Sequence, residues 1–176
     1  MIVSMWMTRD VIAIEPKTSI ADASALMARN HIRRLPVVER REHDLYPVGI
    51  VTASDILHAC PPSVNPFAVR TAGGPGLSKT AGEIMSRALR TVAPDTPIDD
   101  AARIMRDAKI STLLVVQKTK LIGLITESDV FRAFVGILES TGAGARITFE
   151  MKGDEDVFGL VAPLALKQNV RVVSLM

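Results

Sequence analysis

Two stretches of the chain place the same reactive groups in the same order. Gly49-Ile50-Val51-Thr52-Ala53-Ser54-Asp55-Ile56 is matched by Gly123-Leu124-Ile125-Thr126-Glu127-Ser128-Asp129-Val130. Each reads as an apolar strand that ends in threonine and runs into a helix, with an acid three residues after the threonine. A hydroxyl, a carboxylate and the free N–H groups of a helix start therefore meet at one junction. That set suits a ligand carrying both an anion and a diol, as a nucleotide does: N–H and hydroxyl donors face the anion, and the carboxylate accepts from vicinal hydroxyls. The same residues also spell an S/T-x-x-D capping box, which is satisfied with no ligand at all. The motif by itself leaves both readings open.

Other candidate chemistry is sparse. Cys60 is the single cysteine, so a disulfide within the chain and a cysteine-based metal site are excluded. His31, His43 and His58 are scattered and do not have metal-ligand spacing, and no metal site is expected. Cys60 has only His58 near it in sequence, and no nucleophile–base–acid constellation is visible, so no catalytic residue is expected. Asp99-Asp100 and Asp154-Glu155-Asp156 fit a helix first turn and a polar turn better than a catalytic dyad. Gly73-Gly74-Pro75-Gly76 lacks the spacing of a phosphate loop. A net charge of +2 with few aromatics argues against a nucleic-acid surface. No apolar run reaches the ~20 residues that span a bilayer, so a soluble, cytoplasmic protein is expected.

The elements that would hold these groups are themselves duplicated. Met7-Thr8-Arg9 matches Met85-Ser86-Arg87, Thr18–Ala23 matches Thr96–Ala101, and Leu35–Val38 matches Leu113–Val116, all at an offset of 78 (85 − 7). The Gly/Thr/Asp stretches are offset by 74 (129 − 55), which puts a four-residue insertion into the first copy within Glu39–Pro47, read as a polar hairpin loop. Each copy predicts a short strand (Val11–Ile14; Leu89–Val92), a capped helix, two apolar strands (Leu35–Val38 with Val48–Thr52; Leu113–Gln117 with Leu121–Thr126) and a last helix (Ser54–Ala59; Ser128–Leu138). In the second copy Thr96 is the expected N-cap, with Pro97 at N1 and Asp99 completing a capping box. The fold class is α/β (α+β), a β-α-β-β-α unit made twice. Residues 61–79 are rich in proline and glycine and read as a linker. After a second glycine-rich linker, residues 146–176 read as strand, helix (Val157–Lys167) and strand (Val170–Leu175).

The doubled unit ending in G-x-x-T-x-x-D resembles a tandem pair of CBS domains, or Bateman module, with domains over 1–60 and 80–139. The tail, 146–176, is similar to the first half of an ACT domain, with Gly159-Leu160 opening the helix and Asn169–Ser174 as the following strand. A CBS pair followed by such a segment resembles the bacterial acetoin-utilisation CBS proteins. The resemblance implies two clefts between the copies that take adenine nucleotides. One would join Arg33, Arg34, Thr52 and Asp55 with Thr91. The other would join Ser111, Thr112, Thr126 and Asp129 with Ala13, and lacks the arginines that favour phosphate. AMP, ADP or ATP is the implied regulatory ligand, S-adenosylmethionine a further candidate, and no cofactor is required. The expected role is regulatory and non-catalytic, acting on an enzyme of acetoin or related small-metabolite metabolism, with no nucleic-acid or membrane partner. The alternative is a ligand-free structural or dimerisation module. A homodimer through the CBS helices is expected, covering an apolar face of Val130, Phe131, Phe134 and Val135.

Overall fold

A computed structural model describes residues 1–60, 79–138 and 156–172. The chain divides into two compact units, Met1–Val130 and Phe131–Met176. The first opens with a 3-10 turn, Val3–Met5, and continues with α1 (Ile20–Asn30), β1 (Arg34–Arg41), β2 (Asp44–Thr52), α2 (Ala53–Ala59), α3 (Ala81–Ile84), β3 (Thr91–Val92), α4 (Ile98–Ala108), β4 (Thr112–Gln117) and β5 (Lys120–Thr126). Helix α5 (Glu127–Leu138) begins in the first unit and ends in the second, which also holds α6 (Val157–Gln168).

Local chemistry sets the helix bounds. Ser19 caps α1, accepting from the Asp22 N–H at 3.0 Å, and the helix stops where His31 turns left-handed at φ 54°. Ile20, Ala23 and Met27 bury one face of α1, as Ile98, Ala101 and Met105 bury one face of α4. Thr96 does not cap α4. Its hydroxyl accepts from the Ala93 N–H at 3.1 Å, Pro97 occupies the cap position, and Asp99 pairs with Arg103 at 2.7 Å in place of a capping box. Thr18 behaves identically in the first copy, accepting from the Glu15 N–H at 3.1 Å. The threonine at this site closes the turn that feeds the helix.

Strands β1 and β2 pair antiparallel, and β4 pairs antiparallel with β5 and parallel with β3. The expected first strand of copy one contracts to a parallel bridge between Ile14 and Val37. The four-residue insertion is not a loop: it lengthens the first hairpin, so that Glu39, Arg40 and Arg41 pair with Tyr46, Leu45 and Asp44. Side-chain contacts support the longer ladder, with Arg41 over the Tyr46 ring at 4.8 Å and on Glu39 at 2.9 Å.

Leu35, Val37, Val51 and Ile56 are fully buried with Ile20 and Met27 in one apolar cluster. A second cluster joins the copies: Val38 of the first packs with Leu114 and Leu121 of the second, bordered by Ala13, Leu45, Leu89 and Leu124. An ion pair at the rim, Lys120 to Asp44 at 2.6 Å, also links the two hairpins.

The leading segment of each copy pairs with the other copy. Thr8 exchanges backbone hydrogen bonds with Leu124 at 2.9 and 3.0 Å, and Ser86 does the same with Ile50 at 2.9 and 3.0 Å. The Val3 N–H donates to Thr96 and the Ala81 N–H to Thr18, at 2.9 and 2.8 Å. These contacts repeat at the same 78 and 74 offsets as the sequence, so the duplication is one of three-dimensional contacts as well as of motifs.

In the second unit α6 matches the expected tail helix, capped by Asp156, whose carboxylate accepts from the Phe158 N–H at 3.0 Å. Val170–Val172, the described part of the expected last strand, is not paired in a strand. The expected strand at 146–150 and the linker at 61–78 lie outside the described residues.

Candidate functional site

Both T-x-x-D junctions form closed capping boxes. Asp55 Oδ2 accepts from the Thr52 N–H and hydroxyl, each at 2.7 Å, while the Asp55 N–H donates back to the Thr52 hydroxyl at 3.3 Å. Asp129 Oδ2 accepts from Thr126 at 2.9 and 2.7 Å, and its N–H returns a bond at 3.3 Å. Such a cap stabilises a helix by about 1 kcal/mol. Capping is therefore satisfied with no ligand, but it uses one oxygen of each carboxylate. At Asp55 no donor among the described residues reaches Oδ1. Asp55 is half-buried, whereas Asp129 is only 3% exposed. The box thus fixes a carboxylate in place and at Asp55, a half-buried residue, leaves one oxygen without a donor among the described residues.

The strands bring basic residues to the first box. Arg34 pairs with Thr52 across the β1–β2 ladder, which puts the two side chains on one face, and the Ala53 N–H donates to the Arg33 carbonyl at 2.9 Å. The second copy repeats this frame: Thr112 pairs with Thr126, and the Glu127 N–H donates to the Ser111 carbonyl at 3.3 Å. Arg33 is exposed and Arg34 half-buried. Thr91 is exposed on β3, in register with Leu114, while Ala13 borders the apolar cluster between the copies.

One contact joins residues that the family resemblance assigned to different clefts. The Arg34 guanidinium donates from Nη2 to the Ser111 hydroxyl, linking β1 of the first copy to the residue just before β4 in the second. Burial lowers the Arg34 pKa, Arg33 lowers it further, and the Glu127 carboxylate opposes both.

The motif glycines have a reason that the motif alone did not show. A Cβ on Gly49 would stand 2.3 Å from Met85 Sδ, and one on Gly123 would stand 2.8 Å from Met7 Sδ and 2.9 Å from the Thr8 carbonyl. Each glycine admits the leading segment of the other copy. The signal was present, because Met7 and Met85 occur at matching points of the repeat. Glu127, which stands where the first copy has Ala53, was equally visible as a difference between the copies.

The model of the CBS domain matches residues 3–61 and 81–136, once per copy and over more than half of the chain. The chain belongs to the CBS-domain family. Its CBS pair is similar to a Vibrio cholerae protein named for acetoin utilization, AcuB, at 29% identity and a TM-score of 0.64, covering 79% of this chain and 93% of that one. It is similar to CBSX2 from Arabidopsis thaliana, whose structure was solved in complex with AMP, at 28% identity and a TM-score of 0.63 over 78% of this chain and 98% of that one. It is also similar to the CBS domain pair of MJ0100 in complex with 5′-methylthioadenosine and S-adenosyl-L-methionine, at 29% identity and a TM-score of 0.62 over 77% and 97% of the two chains. Among curated relatives, MJ1404 of Methanocaldococcus jannaschii is 35% identical over 86% of this chain, which spans 35% of that protein's length. An inosine-5′-monophosphate dehydrogenase of Korarchaeum cryptofilum is 35% identical over 72% of this chain, which spans 23% of its length.

Proposed function

We propose that this CBS pair is a regulatory, non-catalytic sensor of adenine nucleotides, with its main site beside Asp55. The observation that carries the reading is the Asp55 carboxylate: one oxygen is held by the Thr52 box and the other meets no donor among the described residues, with Arg34 across the ladder from Thr52. In this arrangement Oδ1 accepts from the ribose hydroxyls, while Arg33, Arg34 and the start of α2 attract phosphate. Thr91 completes this cleft. The cleft of Ala13, Ser111, Thr112, Thr126 and Asp129 is the weaker one, because its carboxylate is buried. Complexes of similar CBS pairs with AMP and with S-adenosyl-L-methionine support an adenine ligand. Similarity to AcuB supports control of acetoin or related small-metabolite metabolism. Among the described residues no helix is long and apolar enough to cross a membrane.

Titration calorimetry with AMP, ADP, ATP and S-adenosylmethionine tests the reading. Asp55→Ala should weaken the bound nucleotide by roughly 1.5–3 kcal/mol, the worth of hydrogen bonds to a charged group. A variant that loses thermal stability but keeps nucleotide affinity would leave Asp55 as a helix cap alone. A homodimer belongs to the same reading. Of the expected apolar face Val130 is buried, but Phe131 is 71% and Phe134 43% exposed on α5. Sedimentation should therefore show a dimer at micromolar concentration, and a monomer would remove this part.

A further inference from the structure

Arg34 stands between two environments. Its register with Thr52 puts it on the same face as the Asp55 box, yet its guanidinium donates to the Ser111 hydroxyl in the other copy. The Ser111 carbonyl accepts the Glu127 N–H at 3.3 Å, so the acid that opens α5 is anchored to the residue that holds Arg34. The first copy has Arg33 and Ala53 at the equivalent positions (111 − 78 = 33; 127 − 74 = 53). Where the first copy offers a cation and a methyl group, the second offers a hydroxyl and a carboxylate. Both attract a guanidinium. The influence of Glu127 on the charge of Arg34 agrees with this proximity.

We propose that Ser111 and Glu127 are specificity-determining residues for the Asp55 cleft, holding Arg34 on the side of the second copy and so limiting how strongly a phosphate binds beside Thr52. The inference rests on the nucleotide reading of Asp55 and adds the property by which that cleft discriminates its ligands. A phosphate at Thr52 must draw Arg34 away from Ser111 and Glu127. An uncharged nucleoside leaves Arg34 where it is. The restraint therefore acts on phosphorylated ligands and sets the ratio of nucleotide to nucleoside affinity.

The test is calorimetry of the full chain with adenosine and with AMP. Wild type is compared with Ser111→Ala, Glu127→Gln and Arg34→Ala, and with each of the first two changes combined with Arg34→Ala. Ser111→Ala should raise the AMP-to-adenosine affinity ratio by roughly three- to tenfold, the range set by releasing one hydrogen bond, and Glu127→Gln by about two- to fivefold, because it removes only a solvent-screened attraction. Both effects should vanish in the Arg34→Ala background. If wild type binds AMP through Asp55 and the two variants leave the ratio unchanged, this inference falls and the nucleotide reading stands. A lower ratio in both variants would mean that Arg34 meets phosphate from its position on Ser111, and would likewise overturn it. Failure of every protein, wild type included, to bind either ligand would overturn both. Two independent variants, one at an exposed residue, keep a folding defect at one site from deciding the result.

Discussion

At Thr80 a third capping box shows the cap without any ligand question. Glu83 Oε2 accepts from the Thr80 N–H at 2.6 Å and from its hydroxyl at 2.9 Å, at the start of α3. The Thr80 N–H, then its hydroxyl, hold the Glu83 carboxyl below its ordinary pKa. A carboxylate whose folded pKa is depressed adds stability that is present above its unfolded pKa, about 4.3 for glutamate, and is lost as pH falls through the folded value. Glu83→Gln should therefore lower the thermal midpoint at pH 7, with the gap to wild type closing between about pH 4.3 and the depressed folded value. Thermal melts across that range check it, and a gap independent of pH would show that the charge of Glu83 does not matter. Residue types alone announced the Asp55 and Asp129 boxes, because a cap is a local geometry four residues long. The partner of Arg34 was not legible, because Ser111 lies 77 residues away and a long side chain has several places to go.

Among elements, the two hairpins show what a motif conceals. Both carry a register shift beside the motif glycine, between Val37 and Val38 and between Val115 and Val116. The glycines then admit Met85 and Met7 from the opposite copies. The two sites should not respond equally to a methyl group. At Gly49 the obstacle is the flexible Met85 side chain. At Gly123 it includes the Thr8 carbonyl, fixed by its bond from the Leu124 N–H at 3.0 Å. Gly123→Ala should cost roughly 1–3 kcal/mol, as overpacking does, and Gly49→Ala less. Met85→Ala should restore Gly49→Ala, and Met7→Ala should only partly restore Gly123→Ala. Chemical denaturation of the four single variants and the two rescue doubles checks the ranking; equal costs with equal rescue would show that only side chains are in the way. Helix and strand order was readable because the apolar periodicity is strong in both copies. The insertion at Glu39–Pro47 was not, because polar residues on a hairpin exposed at its tip look like a loop until Arg41 meets Tyr46.

The 78 and 74 offsets were visible in the sequence, but that each copy is completed by the other was not, because such pairing joins distant residues and follows from no local propensity. Residues 1–8 belong structurally to the second copy. The Ile98 N–H, at the start of α4, donates to the Met1 carbonyl at 3.2 Å, and the Leu124 N–H in β5 donates to Thr8. Val3 and Met7 are buried, so the segment contributes apolar burial worth roughly 1.5–3 kcal/mol per fully buried side chain as well as backbone pairing. Removing it uncovers the β5 edge, on which the β3-β4-β5 sheet has no further strand among the described residues. Deletion of residues 1–8 should thus lower the thermal midpoint and speed hydrogen exchange at Leu124 and Ile98. The amides of Ile50 and Ile20 are held by Ser86 and Lys79 of the other crossing, and should keep most of their protection. Exchange that rises first at Ile50 and Ile20, with Leu124 and Ile98 still protected, would show that the first copy depends on its own leading residues and that the crossing does not join the halves.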